Sequence, residues 1–255
     1  MSVKALVLRA AGTNCDRETL FALEQAGFQA DRVHVNRLLE APVLLGDYAF
    51  LVLPGGFSYG DDVAAGKILA NQMLHRLAGP LNEFVDAGKL VLGICNGFQV
   101  LIKSGLLPWG RVSAKDAHRD ATLGWNDCGM FVDRWVHLRC DSDNCVFLPA
   151  GEVISLPIAH GEGKFVPRDD EVLDRLRRDS QVALRYVDSA GEAGDNPNGS
   201  VDDIAALCDP TGRVMGLMPH PERFVHATHH PQWTRQNIAR PDGRVFFDRA
   251  FEYLK

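Results

Sequence analysis

The segment Val91-Leu92-Gly93-Ile94-Cys95-Asn96-Gly97-Phe98-Gln99 decides the fold of this chain. The apolar run over residues 89–94 is typical of a buried strand, and the pattern over residues 98–104 is typical of a helix. A cysteine between them, with glycine two residues before and two residues after, has the layout of a nucleophile elbow, a sharp and strained turn. The N-terminus of the following helix favours a thiolate and a developing oxyanion. The pattern predicts that Cys95 is a nucleophile, and the alternative is a buried structural cysteine.

A second candidate group lies near the other end of the chain, in Pro219-His220-Pro221-Glu222. Pro221 disfavours a helical backbone at His220, and residues two apart in an extended segment project to the same side. We therefore expect Glu222 to orient the imidazole of His220, and the two to form a Cys-His-Glu triad with Cys95. Taken alone, the segment is more typical of a surface turn; beside the elbow, the catalytic interpretation is the better one.

A double glycine follows a third strand-like run, in Phe50-Leu51-Val52-Leu53-Pro54-Gly55-Gly56. Glycine at the end of a strand lets a backbone N–H group approach a ligand closely. In elbow enzymes the oxyanion is held by the N–H group of the residue after the nucleophile and by one from another strand-end loop. Asn96 and Gly56 are the predicted donors, and an ordinary strand-to-loop turn is the alternative.

These three segments together resemble the landmarks of the class I, triad-type, glutamine amidotransferases. Within that class, Asn96-Gly97-Phe98-Gln99 is similar to the glutaminase subunits of phosphoribosylformylglycinamidine synthases. Four further segments agree with that branch: Thr13-Asn14-Cys15-Asp16, Arg134-Trp135-Val136-His137-Leu138, Pro157-Ile158-Ala159-His160-Gly161-Glu162-Gly163-Lys164-Phe165 and Asn196-Pro197-Asn198-Gly199-Ser200. The resemblance covers residues 3–254. The opening at residues 8–12 and the segments 109–129 and 224–241 depart from the family pattern.

The resemblance implies a reaction, a substrate and a partner. Cys95 attacks the side-chain amide of glutamine to form a thioester, and His220 protonates the departing ammonia and then activates water to release glutamate. Gly55, Gly56 and Gln99 contact the glutamine. The ammonia passes to a large synthetase subunit, with or without a third small subunit. The large synthetase subunit uses ATP and Mg to convert phosphoribosylformylglycinamide to phosphoribosylformylglycinamidine in de novo purine biosynthesis.

Composition narrows the classes of protein and of partner. A chain of 255 residues with 46% hydrophobic and 24% charged residues is typical of one globular domain, here residues 1–255. A net charge of −6 argues against nucleic acid or an anionic membrane as the partner. The N-terminus has no signal-peptide pattern and no run is long enough to span a membrane, so we expect a cytoplasmic protein. The spacing of the six cysteines predicts neither disulfides nor a zinc site, and no phosphate-binding glycine motif occurs, so we expect no metal and no nucleotide on this chain.

Apolar runs alternate with helical patterns along the chain. Strands are predicted at residues 4–8, 32–35, 48–53, 90–94, 132–138, 153–158, 182–187, 204–208 and 214–218. A helix is predicted from Asp16 to Ala26, stopped by Gly27, and a final helix from Asp242. This order predicts an α/β fold, flavodoxin-like, with an open, mainly parallel sheet and helices on both faces. Cys95, His220 and Gly56 then lie together at the carboxyl ends of strands.

Two other functions stay open. A stand-alone thiol hydrolase of similar fold is one, although such enzymes rarely place the carboxylate two residues after the histidine. A non-catalytic subunit that has kept the fold is the other, against which the intact Cys95, His220 and Glu222 argue. The polar stretch over residues 188–200 is predicted to be a surface loop, and residues 196–200 are a candidate docking contact for the partner.

Overall fold

The structure is a computed structural model that describes residues 2–112 and 120–255. The helices are α1 (Asp16–Ala26), α2 (Val35–Glu40), α3 (Lys67–Arg76), α4 (Ala78–Asp86), α5 (Asn96–Ser104), α6 (Asp170–Arg178) and α7 (Arg244–Leu254). The strands are β1 (Lys4–Arg9), β2 (Gln29–His34), β3 (Phe50–Leu53), β4 (Leu90–Ile94), β5 (Ala121–Trp125), β6 (Val132–Cys140), β7 (Val153–His160), β8 (Glu162–Pro167), β9 (Val182–Val187), β10 (Ile204–Cys208) and β11 (Val214–Leu217).

Nine strands form one sheet in the order β2-β1-β3-β4-β11-β10-β9-β6-β7, and β5 pairs with β8 in a separate antiparallel ribbon. The pairings from β2 to β11 are parallel, and those from β11 to β7 are antiparallel. As a result, β6 and β10 run against the other seven strands. The predicted α/β class with an open, mainly parallel sheet is confirmed, but the sequence patterns do not indicate the antiparallel half.

Helices cover both faces of the parallel half, as predicted. α1 contacts β1 and β2 and packs on α7, whereas α5 contacts β3, β4 and β11 and packs on α3. Crossovers between parallel strands are right-handed, so the opposite moves from β1 to β2 and from β4 to β11 place α1 and α5 on opposite faces. The strands β1, β3 and β4 are therefore buried on both sides, which is why each is an almost continuous apolar run.

Several element boundaries differ from the predicted ones, and two of the differences have identifiable reasons. The second strand occupies Gln29–His34 rather than residues 32–35, because it is a mostly polar strand that pairs with β1 and carries little apolar periodicity. The last helix begins at Arg244 rather than at Asp242. Asp242 instead accepts a hydrogen bond from the backbone N–H of Ser155 at 2.8 Å, which ties the segment before α7 to β7.

No helix in residues 2–112 and 120–255 has both the length and the apolar character needed to cross a bilayer. The prediction that residues 1–255 make one domain stays a prediction.

The turn from β4 into α5 is packed backbone against backbone. A Cβ atom on Gly97 would lie 2.0 Å from the carbonyl oxygen of Leu53 in β3, and one on Gly93 would lie 2.7 Å from the carbonyl oxygen of Gly97. Real Cβ contacts are never this short, so both positions require glycine for space. The two glycines on either side of Cys95 therefore let α5 start directly against β3 and β4.

We expect Gly97→Ala to destabilise the fold by about 1–3 kcal/mol or more, because the added methyl group must push α5 away from Leu53. Gly46→Ala is the matched control, since a Cβ atom there meets nothing within 4 Å; its effect should stay within about 0.5 kcal/mol. Denaturant unfolding monitored by circular dichroism measures both. Equal stabilities of the two variants would contradict the packing described for the turn.

Candidate active site

Cys95 lies at the turn between β4 and α5 in a strained backbone conformation. Its φ is 50° and its ψ is −105°, outside the regions that non-glycine residues ordinarily occupy. Two hydrogen bonds hold it: its N–H donates to the carbonyl of Leu217 at 2.7 Å, and its carbonyl accepts from the N–H of Gln99 at 3.1 Å. Cys95 is 5% exposed and lines a cavity of about 700 Å³, and its Sγ lies 3.8 Å from the carbonyl oxygen of Ala159. The geometry is that of the predicted elbow.

His220 and Glu222 are in contact, but the backbone between them differs from the predicted one. Nδ1 of His220 lies 2.7 Å from Oε1 of Glu222, and both side chains are buried. The segment is not extended throughout, because Pro221–Arg223 form a 3₁₀ turn that begins just after His220. The pairing was expected from alternation along a strand, and it arises instead from this turn. Among the described residues, neither Nε2 of His220 nor Oε2 of Glu222 has a hydrogen-bond partner.

Electrostatics favour a charged imidazole at His220. Burial acts to lower the pKa of His220, but the carboxylate of Glu222 and the sulfur atoms of Cys95 and Cys15 together outweigh it, and the pKa lies well above its usual value. A second histidine in the cavity wall behaves in the opposite way. Burial is the main cause that lowers the pKa of His160 to about 4, and the charge on His220 adds to the effect. At neutral pH the cavity thus has an imidazolium at His220, suited to stabilise a thiolate, and a neutral imidazole at His160.

Side-chain hydrogen bonds of Asn96 link the start of α5 to the loop that follows Gly56. Gly56 has φ 141°, and a Cβ atom there would lie 2.7 Å from the N atom of Asn14. Asn96 begins α5, where the first N–H groups have no acceptor within the helix. Its Oδ1 accepts from the N–H of Ser58 at 3.2 Å, and its Nδ2 donates to Asp61 at 3.3 Å. These bonds hold the glycine loop against the start of α5, and the donor roles of Gly56 and Asn96 stay predictions.

Gln99 and Gly55 have structural contacts that the sequence did not indicate. The amide of Gln99 accepts from Asn96 Nδ2 at 3.0 Å and donates to the carbonyl of Glu162 at 2.6 Å, so both of its ends are occupied. This arrangement makes Gln99 a link between α5 and β8, and a contact with glutamine stays a prediction. A Cβ atom on Gly55 would lie 2.8 Å from Cε1 of His220, so the glycine makes room for the imidazole ring.

Cys15 lies beside the triad, although its sequence context predicts no such setting. Its Sγ accepts from Nη2 of Arg223 at 3.2 Å, and its ligand atom lies within 4.8 Å of those of His220 and Glu222. Thiol, imidazole and carboxylate are zinc-type donors, so the prediction that the chain binds no metal stays a prediction. The isolated bridge between Thr13 and Gly56, which lie after β1 and β3, brings Cys15 here, and sequence spacing does not reveal this contact.

His160, Glu162 and Arg223 also line the cavity and were not predicted as site residues. The first two belong to the segment 157–165 of the family resemblance, which is the signal that points to them. Glu162 pairs with Lys103 of α5 at 3.2 Å, which adds a second link between α5 and β8.

Known proteins resemble this chain over its whole length. A model of the CobB/CobQ-like glutamine amidotransferase domain matches residues 2–254. The phosphoribosylformylglycinamidine synthase subunit PurQ of Dehalococcoides mccartyi is 40% identical over 259 residues, which cover 99% of this chain and 98% of that protein. The subunit of the same name from Treponema denticola is 44% identical over 242 residues, with 88% and 89% covered. Among solved structures, that of PurLQS from Thermotoga maritima superposes with a TM-score of 0.77 at 35% identity, over 100% of each chain.

We expect Glu222→Gln to lower the pKa of His220, because Glu222 is the largest of the influences that raise it. In the wild type, the raised pKa stabilises the fold below about pH 6.5, and this contribution is lost as pH rises through the folded pKa; in the variant the contribution should be smaller. NMR titration of the imidazole Cε1–H signal measures the pKa directly. The exposed Glu24→Gln is the control. An unchanged His220 pKa in Glu222→Gln would show that the carboxylate does not set the charge of the ring.

Proposed function

This chain belongs to the CobB/CobQ-like glutamine amidotransferase domain family, and on that premise we propose that it is a glutaminase that supplies ammonia to a synthetase subunit. The observation that carries the proposal is the buried contact between His220 and Glu222 in the wall of the cavity that holds the strained Cys95. The relatives named as phosphoribosylformylglycinamidine synthase subunits specify the synthetase: it uses ammonia to convert phosphoribosylformylglycinamide to phosphoribosylformylglycinamidine in purine biosynthesis.

The first half of the reaction releases ammonia. The thiolate of Cys95 attacks the side-chain amide carbon of glutamine, and the C–S bond forms as the carbonyl oxygen becomes an oxyanion. The N–H groups of Gly56 and Asn96 hold that oxyanion, at the start of α5 where the helix dipole favours negative charge. The imidazolium of His220 gives its proton to the departing nitrogen, the C–N bond breaks, and ammonia and a γ-glutamyl thioester result.

The second half regenerates the enzyme. His220, now neutral, takes a proton from water, and the resulting hydroxide attacks the thioester carbon. The C–S bond breaks, glutamate leaves, and Cys95 is again a thiolate beside the imidazolium. Glu222 stays ionised throughout and orients the ring, as the carboxylate does in other triads. The sum is glutamine and water giving glutamate and ammonia.

Neither alternative function accounts for the site as well. A non-catalytic subunit has no need of a strained turn at Cys95 or of a buried ion pair at His220, both of which cost stability. A stand-alone thiol hydrolase would explain the nucleophile and the base, but not the similarity to synthase subunits along 99% of the chain. ATP and Mg are assigned to the synthetase subunit, and the cytoplasmic location stays a prediction.

We expect a glutamine-analogue electrophile to label Cys95 alone and to abolish ammonia release. Cys15→Ala should keep the labelling and at least a tenth of the activity, because Cys15 contacts Arg223 and is assigned no bond to substrate. Cys95→Ala should lose both, and Cys128→Ala, which removes an exposed thiol, should behave as wild type. Peptide mass spectrometry locates the label. Labelling of Cys15 at a rate similar to that of Cys95 would refute the assignment of Cys95 as the nucleophile.

We expect low glutaminase activity of the chain alone and a large rise when the synthetase subunit is added with its ligands. A glutaminase that ran freely would waste glutamine, so completion of the site on assembly is the physically sensible arrangement. The measurement is ammonia release with and without the synthetase, and Cys95→Ala added to the same synthetase is the control for contaminating activity. An intact chain that the synthetase does not activate would refute the partnership.

A further inference from the structure

A buried lysine in α5 takes no part in the reaction steps assigned to Cys95 and His220. Lys103 lies about two turns along the helix from Cys95. Its side chain is only 12% exposed, and it does not line the cavity that holds the thiol. Lysine is seldom buried unless its ammonium group is paired and hydrogen-bonded. The partners of this ammonium group therefore indicate what the residue holds in place.

The ammonium group of Lys103 and the carboxylate of Glu162 together hold Ala65. Nζ of Lys103 donates to the carbonyl of Ala65 at 2.6 Å and to Oε2 of Glu162 at 3.2 Å. Oε1 of Glu162 accepts from the N–H of Ala65 at 3.5 Å. Both backbone polar groups of Ala65 are thus bonded to one ion pair. Hydrogen bonds to charged groups are stronger than those between neutral groups, so this is a firm attachment.

Ala65 belongs to the loop that carries one of the predicted oxyanion donors. This loop, residues 54–66, joins β3 to α3. Near its start, the N–H of Ser58 donates to Oδ1 of Asn96 at 3.2 Å, and near its end Ala65 meets Lys103. Asn96 and Lys103 are about two turns apart and lie on the same face of α5. One helix face therefore holds both ends of the loop.

Between these two attachments the backbone of the loop is strained. Tyr59 has φ 55° and Asp61 has φ 54°, values that residues other than glycine seldom adopt. A conformation of this kind persists only where the surrounding structure maintains it. Loss of the attachment at Ala65 therefore lets the loop relax, and the relaxation moves the segment that contains Gly56.

The charge of Lys103 also keeps two acidic side chains compatible. Burial is the main cause that raises the pKa of Asp61, the carboxylate of Glu162 adds to it, and the ammonium group of Lys103 opposes it. Oδ1 of Asp61 accepts from the N–H of Gly66 at 3.2 Å and from Nδ2 of Asn96 at 3.3 Å. Without the cation, the repulsion between the two carboxylates acts directly on these bonds within the loop.

β8, which carries Glu162, is itself held by further hydrogen bonds. The hydroxyl of Ser200 accepts from the N–H of Phe165 at 2.9 Å. Residues 196–200 are the predicted docking contact, but Asn198 and Ser200 are buried, so these two residues support neighbouring elements instead of meeting a partner. Glu162 therefore offers Lys103 and Ala65 a fixed point of attachment.

We infer that Lys103 is a positioning residue for glutamine hydrolysis: through Ala65 and Glu162 it keeps the loop over residues 54–66 in the conformation that places the N–H of Gly56 at the oxyanion. This inference rests on the proposed function. Because the oxyanion exists only after the thiolate has attacked, a displaced donor weakens binding of the transition state and not of glutamine. Loss of Lys103 should therefore lower kcat and leave the KM for glutamine unchanged.

Three single variants of the full chain, each assembled with the synthetase subunit and its ligands, test the inference. Lys103→Met keeps an unbranched side chain without the charge, and Lys103→Arg keeps the charge. Lys89→Met is the matched control, because Lys89 also donates to a backbone carbonyl, that of Gly46 at 2.7 Å, but lies at the opposite end of β4 from Cys95. Steady-state formation of glutamate gives kcat and KM.

We expect Lys103→Met to lower kcat by about tenfold to a hundredfold with KM within about twofold of the wild type, because the donor is displaced and not removed. Lys103→Arg should recover most of the loss, and Lys89→Met should change kcat by less than about twofold. Hydrogen exchange followed by mass spectrometry should show faster exchange over residues 57–66 in Lys103→Met than in the wild type or in Lys89→Met.

The outcomes separate the inference from the function on which it rests. If Lys103→Met is less stable but its folded fraction has the kcat of the wild type, Lys103 is a structural residue only, and the inference is overturned while the function stands. A raised KM with unchanged kcat would overturn it as well, because the loop would then serve glutamine binding. A wild-type complex that forms no glutamate would refute the proposed function itself. Should Lys103→Met fail to fold, Lys103→Gln, which keeps a donor but no charge, takes its place with the same expected fall in kcat.

Discussion

The close backbone contact between β3 and the start of α5 is the constraint on which the site depends. Gly97 lies directly against the carbonyl of Leu53, and this contact holds the helix where its N-terminus meets Cys95. The register of the sheet then places the ends of three strands side by side, because β4 lies between β3 and β11, with Gly93 opposite Leu53 and Ile94 opposite Leu217. The loops after the three strands leave the sheet side by side. The predicted oxyanion donor, nucleophile and base, which come from distant parts of the chain, are brought together by strand pairing.

Burial of the site raises the free-energy cost of its charged groups. Removing an imidazolium and a carboxylate from water costs several kcal/mol for each ion in effective terms, and the 2.7 Å contact between His220 and Glu222 offsets that cost only in part. The buried pair serves the reaction, because the desolvated carboxylate interacts strongly with the imidazole ring of His220 and holds its proton. Cys15, which accepts a hydrogen bond from Arg223, lies beside this pair, so the charge adjoins polar groups of the protein.

The residues that the sequence could indicate are those whose chemistry depends on near neighbours along the chain. Cys95 has a glycine two residues before it and two residues after it, and Glu222 is two residues from His220. Each pattern therefore lies within a few consecutive residues of the sequence. His160 lines the cavity and Cys15 lies beside the triad through contacts between segments that are far apart in the chain, which a short stretch of sequence does not reveal. The bounds of the polar edge strand β2 and the direction of the antiparallel strands escape prediction for related reasons: an edge strand needs no apolar alternation, and strand direction is set by connections rather than by composition.

The loop after Gly56 keeps its conformation through a contact with α5. The N–H group of Ser58 donates to Oδ1 of Asn96, so this loop and the residue after Cys95 are held together. Tyr59 and Asp61 have positive φ values, a conformation that costs about 1–3 kcal/mol per residue and persists only where surrounding contacts maintain it. The predicted oxyanion donor at Gly56 therefore lies beside a segment whose conformation depends on its neighbours. Coupling between two sites is reciprocal, so if the synthetase tightens the binding of a ligand at this loop, the ligand must tighten the binding of the synthetase by the same factor.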